Sequence, residues 1–175
     1  MSTQPKYATQ GATHRRTEGA ILEGTKTLIS KFGLSNVSMI EIADASEVSR
    51  ATLYNHYRDK SAVTTALITA EVEHMIELAN SAGTPADALE KLSLYISSDS
   101  ALAAMRIHDK AVLTEILSHA EHPLYLEIAR CLFTAIKSAP GTGIAMRWLM
   151  GQVMQPLSPA QSREQAELLV DRTLF

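Results

Sequence analysis

The 175-residue chain is 46% hydrophobic and 20% charged with a formal net charge of −3, a globular composition that excludes a disordered polymer. Its single cysteine, Cys131, excludes an internal disulfide and a multi-cysteine zinc site. No apolar run reaches the ~18 residues of a membrane span, and the opening MSTQPKYATQGAT lacks the apolar stretch of a signal peptide. The expectation is a soluble, cytoplasmic protein with no membrane partner.

In chain order, residues 1–13 are polar and contain Pro5 and Gly11, which predicts a flexible tail. His14, Arg15 and Arg16 then stand where a first helix begins. Ile21, Leu22, Leu28, Ile29 and Phe32 form its inward set, and Gly33 suits the position just past its end. Ser38 with Glu41 has the form of a capping box, so a second helix starts there, with Met39, Ile42 and Ala43 on its buried face. Ser46-Glu47-Val48 interrupts the pattern, and Ser49 is the next N-cap candidate. Leu53 and Tyr57, one turn apart, face inward, which leaves Arg50, Ala51, Tyr54 and Asn55 outward.

Such a face suits the major groove. Arg50 can donate two parallel bonds to guanine, Ala51 or Thr52 can touch a thymine methyl, and Asn55 can read adenine. Tyr54, His56 and Lys60 donate without reading sequence and suit phosphate. An αα-corner with a solvated polar face fits the same spacing. The residues Ser38, Ile42-Ala43, Val48-Ser49, Thr52-Leu53-Tyr54, His56-Tyr57 and Lys60 resemble, in order and spacing, the DNA-binding domain of the tetracycline-repressor (TetR) family of regulators. The resemblance covers about residues 15–65, with Ile21-Leu22 and Phe32-Gly33 agreeing upstream. It implies that Arg15, Arg16, Ser38, Ser49, Arg50, Ala51, Thr52, Tyr54, Asn55, His56 and Lys60 meet a palindromic double-stranded operator, Arg15 and Arg16 through phosphates or the minor groove. Three positions depart from the family pattern: Glu47 where the turn usually has glycine, Ala51 where glycine is common near the recognition helix, and Gly24-Thr25 in place of small apolar residues. A left-handed Glu47 would cost ~1 kcal/mol or more.

Beyond this unit, Val63, Leu67, Ile68, Val72, Met75, Ile76 and Leu78 predict a long helix from Ser61 to about Ser81. Thr84-Pro85 starts the next, with Leu89, Leu92, Tyr95 and Ile96 inside, and Ser97 to Ser100 break it. Short helices follow at about 100–107 and 109–120, then one from His122-Pro123 with Leu126, Ala129, Leu132, Phe133 and Ile136 inside, ended by Pro140 to Gly143. Residues 144–155 are apolar on nearly every side and call for cover on two sides. Ser158-Pro159-Ala160-Gln161 caps a last helix carrying Leu168, Leu169, Val170, Leu174 and Phe175. The fold class is all-α: a helix–turn–helix domain at 14–60 and a helical regulatory and dimerisation domain at 61–175.

The terminal helices pairing across a two-fold axis would supply the missing cover, as the resemblance also implies, with Ile144, Trp148, Leu149, Val153, Leu168 and Leu169 at the homodimer interface. An intramolecular core is the alternative. A small-molecule effector, of identity not encoded here, would lodge in the body near Met75, Tyr95, Met105, His108, Tyr125 and Trp148, although such residues at helical spacing are usually core. His119 and His122, with Glu115 and Glu121 nearby, make a weak metal-site candidate, set aside because Pro123 puts a helix border there. Cys131 lies in an apolar pattern that predicts an inert thiol. No phosphate loop, zinc-protease motif or paired catalytic carboxylates appear, so no cofactor and no enzymatic activity are expected. Residues 1–64 carry eight Lys or Arg against six Asp or Glu, and residues 65–175 carry eight against thirteen, so the head is +2 and the body −5. The reading is a ligand-released repressor; a helical interaction module that has lost DNA binding is the alternative, motivated by Glu47 and the small head charge.

Overall fold

The computed structural model describes residues 6–118 and 123–171, which form ten helices. They are α1 (Lys6–Phe32), α2 (Met39–Ala45), α3 (Arg50–His56), α4 (Lys60–Asn80), α5 (Pro85–Ser98), α6 (Ser100–His108), α7 (Lys110–Ser118), α8 (Pro123–Ile136), α9 (Ala139–Met154) and α10 (Pro159–Val170). His119, Glu121, His122, Leu174 and Phe175 lie outside the described residues.

Most helices start where a side chain replaces the missing backbone acceptor. Ser38 and Ser158 form complete capping boxes with Glu41 and Gln161. Ser49, Asp59, Thr84, Asp99 and Ser138 accept from a first-turn N–H at the starts of α3, α4, α5, α6 and α9. Two borders differ from the sequence reading. The helix containing Arg15 and Arg16 reaches back to Lys6, because one internal glycine costs a helix only ~1 kcal/mol and does not stop it. The expected tail of 1–13 is therefore helical from Lys6 onward. Pro140 starts α9 rather than ending α8, since proline in the first turn lacks only an N–H that the helix does not use there.

Two apolar cores run through the chain. Ile21, Ile29, Val37, Ile42, Leu53, Tyr57, Val63 and Leu67 knit α1–α4 together, and Ala101, Met105 and Leu113 from α6 and α7 join the same cluster. Head and body thus share apolar cover. Phe32, expected inside, is half exposed at the end of α1. The second core takes Leu89, Leu92 and Ile96 of α5 with Leu132, Ala145, Leu149 and Ala166 of α8–α10.

A buried polar network crosses this second core. The Ser93 hydroxyl donates to Gln152 Oε1 at 2.6 Å and lies 2.7 Å from Ser162 Oγ, while Ser97 donates to the same amide oxygen at 3.0 Å. Ser97 Oγ in turn accepts from Leu157 N at 3.0 Å. Each buried group finds a partner, so the network fixes the register of α5, α9 and α10 without leaving an unsatisfied donor in the core.

Candidate DNA interface and regulatory cavity

The turn between α2 and α3 is a Schellman closure. Val48 N donates to Ala43 O at 3.0 Å and Glu47 N to Asp44 O at 3.2 Å, with Glu47 at φ 54°. Glu47 thus closes the turn in the left-handed conformation that glycine favours. Gly24 of α1 makes the close approach to this turn possible. A Cβ there would lie 2.4 Å from Ser46 Oγ and 3.1 Å from Ser46 N, so the approach leaves no room for a side chain.

On α3, Leu53 is fully buried and Tyr57 nearly so, its hydroxyl donating to Glu18 at 3.2 Å. Burial first, and Glu18 second, push the Tyr57 phenol up to about 12. Arg50, Ala51, Tyr54 and Asn55 are exposed together, as the periodicity predicted. The other expected contacts are partly occupied. Ser49 Oγ accepts from Thr52 N at 3.0 Å and lies 2.7 Å from Thr52 Oγ1. Ser38 is held by Glu41 Oε2 at 2.7 and 2.8 Å, bonds that pull the Glu41 carboxyl below its ordinary value. Lys60 Nζ donates to Leu34 O at 3.2 Å and Ser35 O at 3.4 Å, leaving one of an ammonium's three donors for phosphate. His56 stacks on His14 of α1 at 4.2 Å. Arg15 and Arg16 are exposed inside α1, not on an arm preceding it.

A cavity of about 470 Å³ lies beneath the head, walled by α1 and by the body helices from α4 to α9. Its size is in the ~300–1,000 Å³ range of small-molecule pockets. Met75, Tyr95, Met105 and Tyr125 line it as expected. His108 and Trp148 do not. His108 is exposed beside Gly33, and Trp148 Nε1 donates to Gln165 at 2.6 Å, tying α9 to α10.

The sequence reading missed the polar cluster on the cavity wall. Lys26 Nζ of α1 lies 2.6 Å from Glu71 Oε2 of α4 and 2.9 Å from Asp99 Oδ2 at the start of α6. Tyr95 Oη of α5 donates to the same Glu71 oxygen at 2.5 Å. Burial pulls the Lys26 ammonium down, but the bonds to Glu71 and Asp99 outweigh it and raise the pKa. Burial and the Glu71 bond push Tyr95 up to about 12. These four residues are scattered through the chain with no common spacing, so no local pattern could group them. A second clamp was also missed. Buried Asp109, between α6 and α7, accepts from Leu34 N at 2.6 Å and Ser35 N at 3.0 Å. Burial raises its carboxyl, and these bonds bring it below the ordinary value.

Of the expected interface residues, Leu168 and Ile144 are exposed. Leu149 is buried in the second core, and Leu149 and Val153 line the cavity, so both are already covered within the chain. Contacts with α5, α7, α8 and α10 cover part of α9 within the chain, while Ile144 and Met154 of α9 stay exposed. The Cys131 thiol lies 3.7 Å from Asn80 Oδ1, and burial raises its pKa, which lowers the thiolate fraction.

The family model of bacterial regulatory proteins of the tetR family matches residues 21–67, the stretch that holds α2, α3 and their supports. Among solved structures, a transcriptional regulator of the "TerR/AcrR family" from Aquifex aeolicus VF5 is 19% identical, with a TM-score of 0.64 over 87% of this chain and 99% of that one. The TetR family repressor AlkX from Dietzia sp. strain DQ12-45-1b, implicated in biodegradation of n-alkanes, is 17% identical, with a TM-score of 0.62 over 87% and 92%. The fatty acid degradation regulator FadR from Bacillus halodurans is 16% identical, with a TM-score of 0.53 over 89% and 95%. At these identities the likeness is one of fold. No functionally curated protein matches in sequence.

Proposed function

We propose that the chain, whose residues 21–67 match the family model of bacterial regulatory proteins of the tetR family, is a DNA-binding transcriptional regulator that acts as a homodimeric repressor released by a small molecule held in the cavity. The observation that carries the DNA reading is the outward group Arg50, Ala51, Tyr54 and Asn55 on a helix anchored by Leu53 and Tyr57. Arg50 and Asn55 read base edges, and Tyr54, His56, Lys60, Arg15 and Arg16 hold phosphates. The retained turn at Glu47 removes one motive for the interaction-module alternative. Two heads related by a two-fold axis meet a palindrome whose half-sites are about one DNA turn (~34 Å) apart.

The cavity supports effector control because its walls include α1, which belongs to the head, and α4, whose Val63 and Leu67 pack in the head's core. An occupant with different affinities for two head arrangements shifts their populations. The test is selection of fragments from a random DNA pool by purified protein, beside Arg50→Ala. An enriched palindrome, lost or relaxed at one base in the variant at a cost of ~1–3 kcal/mol, supports the reading. No enrichment at low salt would overturn it.

A further inference from the structure

The cavity is apolar over most of its wall, with a charged corner formed by Lys26, Glu71, Tyr95 and Asp99 and a further carboxylate, Glu115, elsewhere on the wall. The donors of that corner are committed. The Lys26 ammonium faces Glu71, Asp99 and, at 3.5 Å, Tyr95 Oη, and the Tyr95 hydroxyl donates to Glu71. The other hydroxyls on the wall are also turned to protein acceptors, Thr64 to Lys60 O at 2.9 Å and Tyr125 to Ile116 O at 3.4 Å. Acceptor capacity remains, because a carboxylate has about four lone-pair sites. Glu71 Oε2 takes Lys26 and Tyr95, and Asp99 takes Lys26 and Leu102 N. Lys26 against Glu71 and Asp99 leaves this corner at net −1; Glu115 adds a further carboxylate to the wall, and the Arg106 guanidinium, outside the lining, balances it from beyond Asp99.

An anionic head group would bring a third negative charge to the Lys26 ammonium and would find no uncommitted side-chain donor among the described lining residues. A cationic head group meets the opposite situation, and its apolar tail matches the remaining wall. We propose that the cavity takes a lipophilic cation, such as a protonated amine on an apolar tail, whose charged group shares or replaces the Lys26 ammonium at Glu71. This rests on the reading of the cavity as the effector site. Replacement at Glu71 would loosen α1 from α4, so the head group is also the part of the ligand that reaches the DNA-binding domain.

Calorimetry on the full chain near neutral pH with decylammonium, 1-decanol and decanoate tests this, because the three share a tail and differ only in the head. Decylammonium is expected to bind roughly tenfold or more tightly than decanoate, with decanol between them. Glu71→Gln should weaken decylammonium and spare decanol, and Lys26→Met, which removes the competing cation, should tighten decylammonium. Ile68→Trp, which fills the cavity from its wall, should abolish binding of all three. Decanoate binding as tightly as decylammonium would overturn the ligand class and leave the effector site standing. Binding of none of the three, or binding untouched by Ile68→Trp, would overturn the effector site and the ligand class together.

Discussion

Glu47 is the position at which strain and charge can be separated. Its φ of 54° puts a residue with a Cβ in the left-handed region, a cost of ~1–2 kcal/mol relative to glycine. Glu47→Gly relieves that strain and returns ~0.5–1 kcal/mol to the unfolded chain as backbone entropy. The net gain is therefore ~0.5–1 kcal/mol, or about 1–4 °C in Tm for a chain of this size. The closing bonds from Val48 N to Ala43 O and from Glu47 N to Asp44 O do not involve the side chain, so the substitution leaves the turn intact. Glu47→Ala removes the carboxylate but keeps the Cβ. Thermal unfolding at fixed protein concentration should rank Gly above wild type, with Ala giving no comparable gain. DNA titrations at low salt should show both variants binding DNA of any sequence more tightly, because a negative charge beside the recognition helix is gone. Equal stabilisation by Ala and Gly would refute the strain argument, and a loss of stability in Gly would refute the assignment of the turn.

Gly24→Ala should destabilise by ~1–3 kcal/mol in urea unfolding, because the new methyl meets Ser46 and outweighs the ~1 kcal/mol gained in helix propensity. Asp109→Asn should cost ~1–3 kcal/mol by breaking one of two charge-assisted bonds to the loop after α1. Since the folded carboxyl lies below its ordinary 3.8, its stabilisation is complete above that value and is lost as pH falls through the lower folded value. The variant should therefore show a shallower acid limb in stability against pH. Ile144→Glu with Leu168→Glu should yield a folded monomer by sedimentation, because both side chains are exposed in the single chain. Leu149→Glu should instead unfold the body, as that side chain is buried within it.

The parts legible from sequence were those set by local chemistry. Ser38 with Glu41, Ser49, Thr84-Pro85 and Ser158 with Gln161 marked helix starts that the structure keeps, since a cap acts on N–H groups within three residues of itself. The outward face of α3 followed from the inward spacing of Leu53 and Tyr57. Failures arose where one local feature had two uses. Pro140 is compatible with a helix end or a helix start, and the choice fell to Ser138 as N-cap. The all-round apolarity of α9 calls for cover without naming the chain that provides it, and neighbouring helices of the same chain supply part of it. Lys26, Glu71 and Asp99 each look like ordinary surface charges in sequence. Only the approach of α1 to α4 and to the start of α6 brings them together.

That approach also explains how a cavity in the body can bias a head reading DNA. Two clamps join the units and differ in what can reach them. The Asp109 carboxylate grips Leu34 N and Ser35 N and does not line the cavity, so it acts as a fixed hinge for the loop leading into α2. The Lys26 cluster is on the cavity wall, where a ligand can compete for the same oxygens. Asymmetry of this kind is what a switch requires. If both clamps were accessible, an occupant would leave only the shared apolar core to hold the head; if neither were, the ligand would not discriminate between the two arrangements through these contacts, and affinity alone shifts no equilibrium. With one clamp fixed and the other open to competition, displacement of Lys26 by the proposed ligand would let α1 turn about the Asp109 end against α4, which carries Glu71 and begins at Lys60 beside the recognition helix. The free energy available for displacing α3 from its groove is then bounded by the difference in ligand affinity between the paired and unpaired Lys26 states, not by how tightly the apolar tail is held.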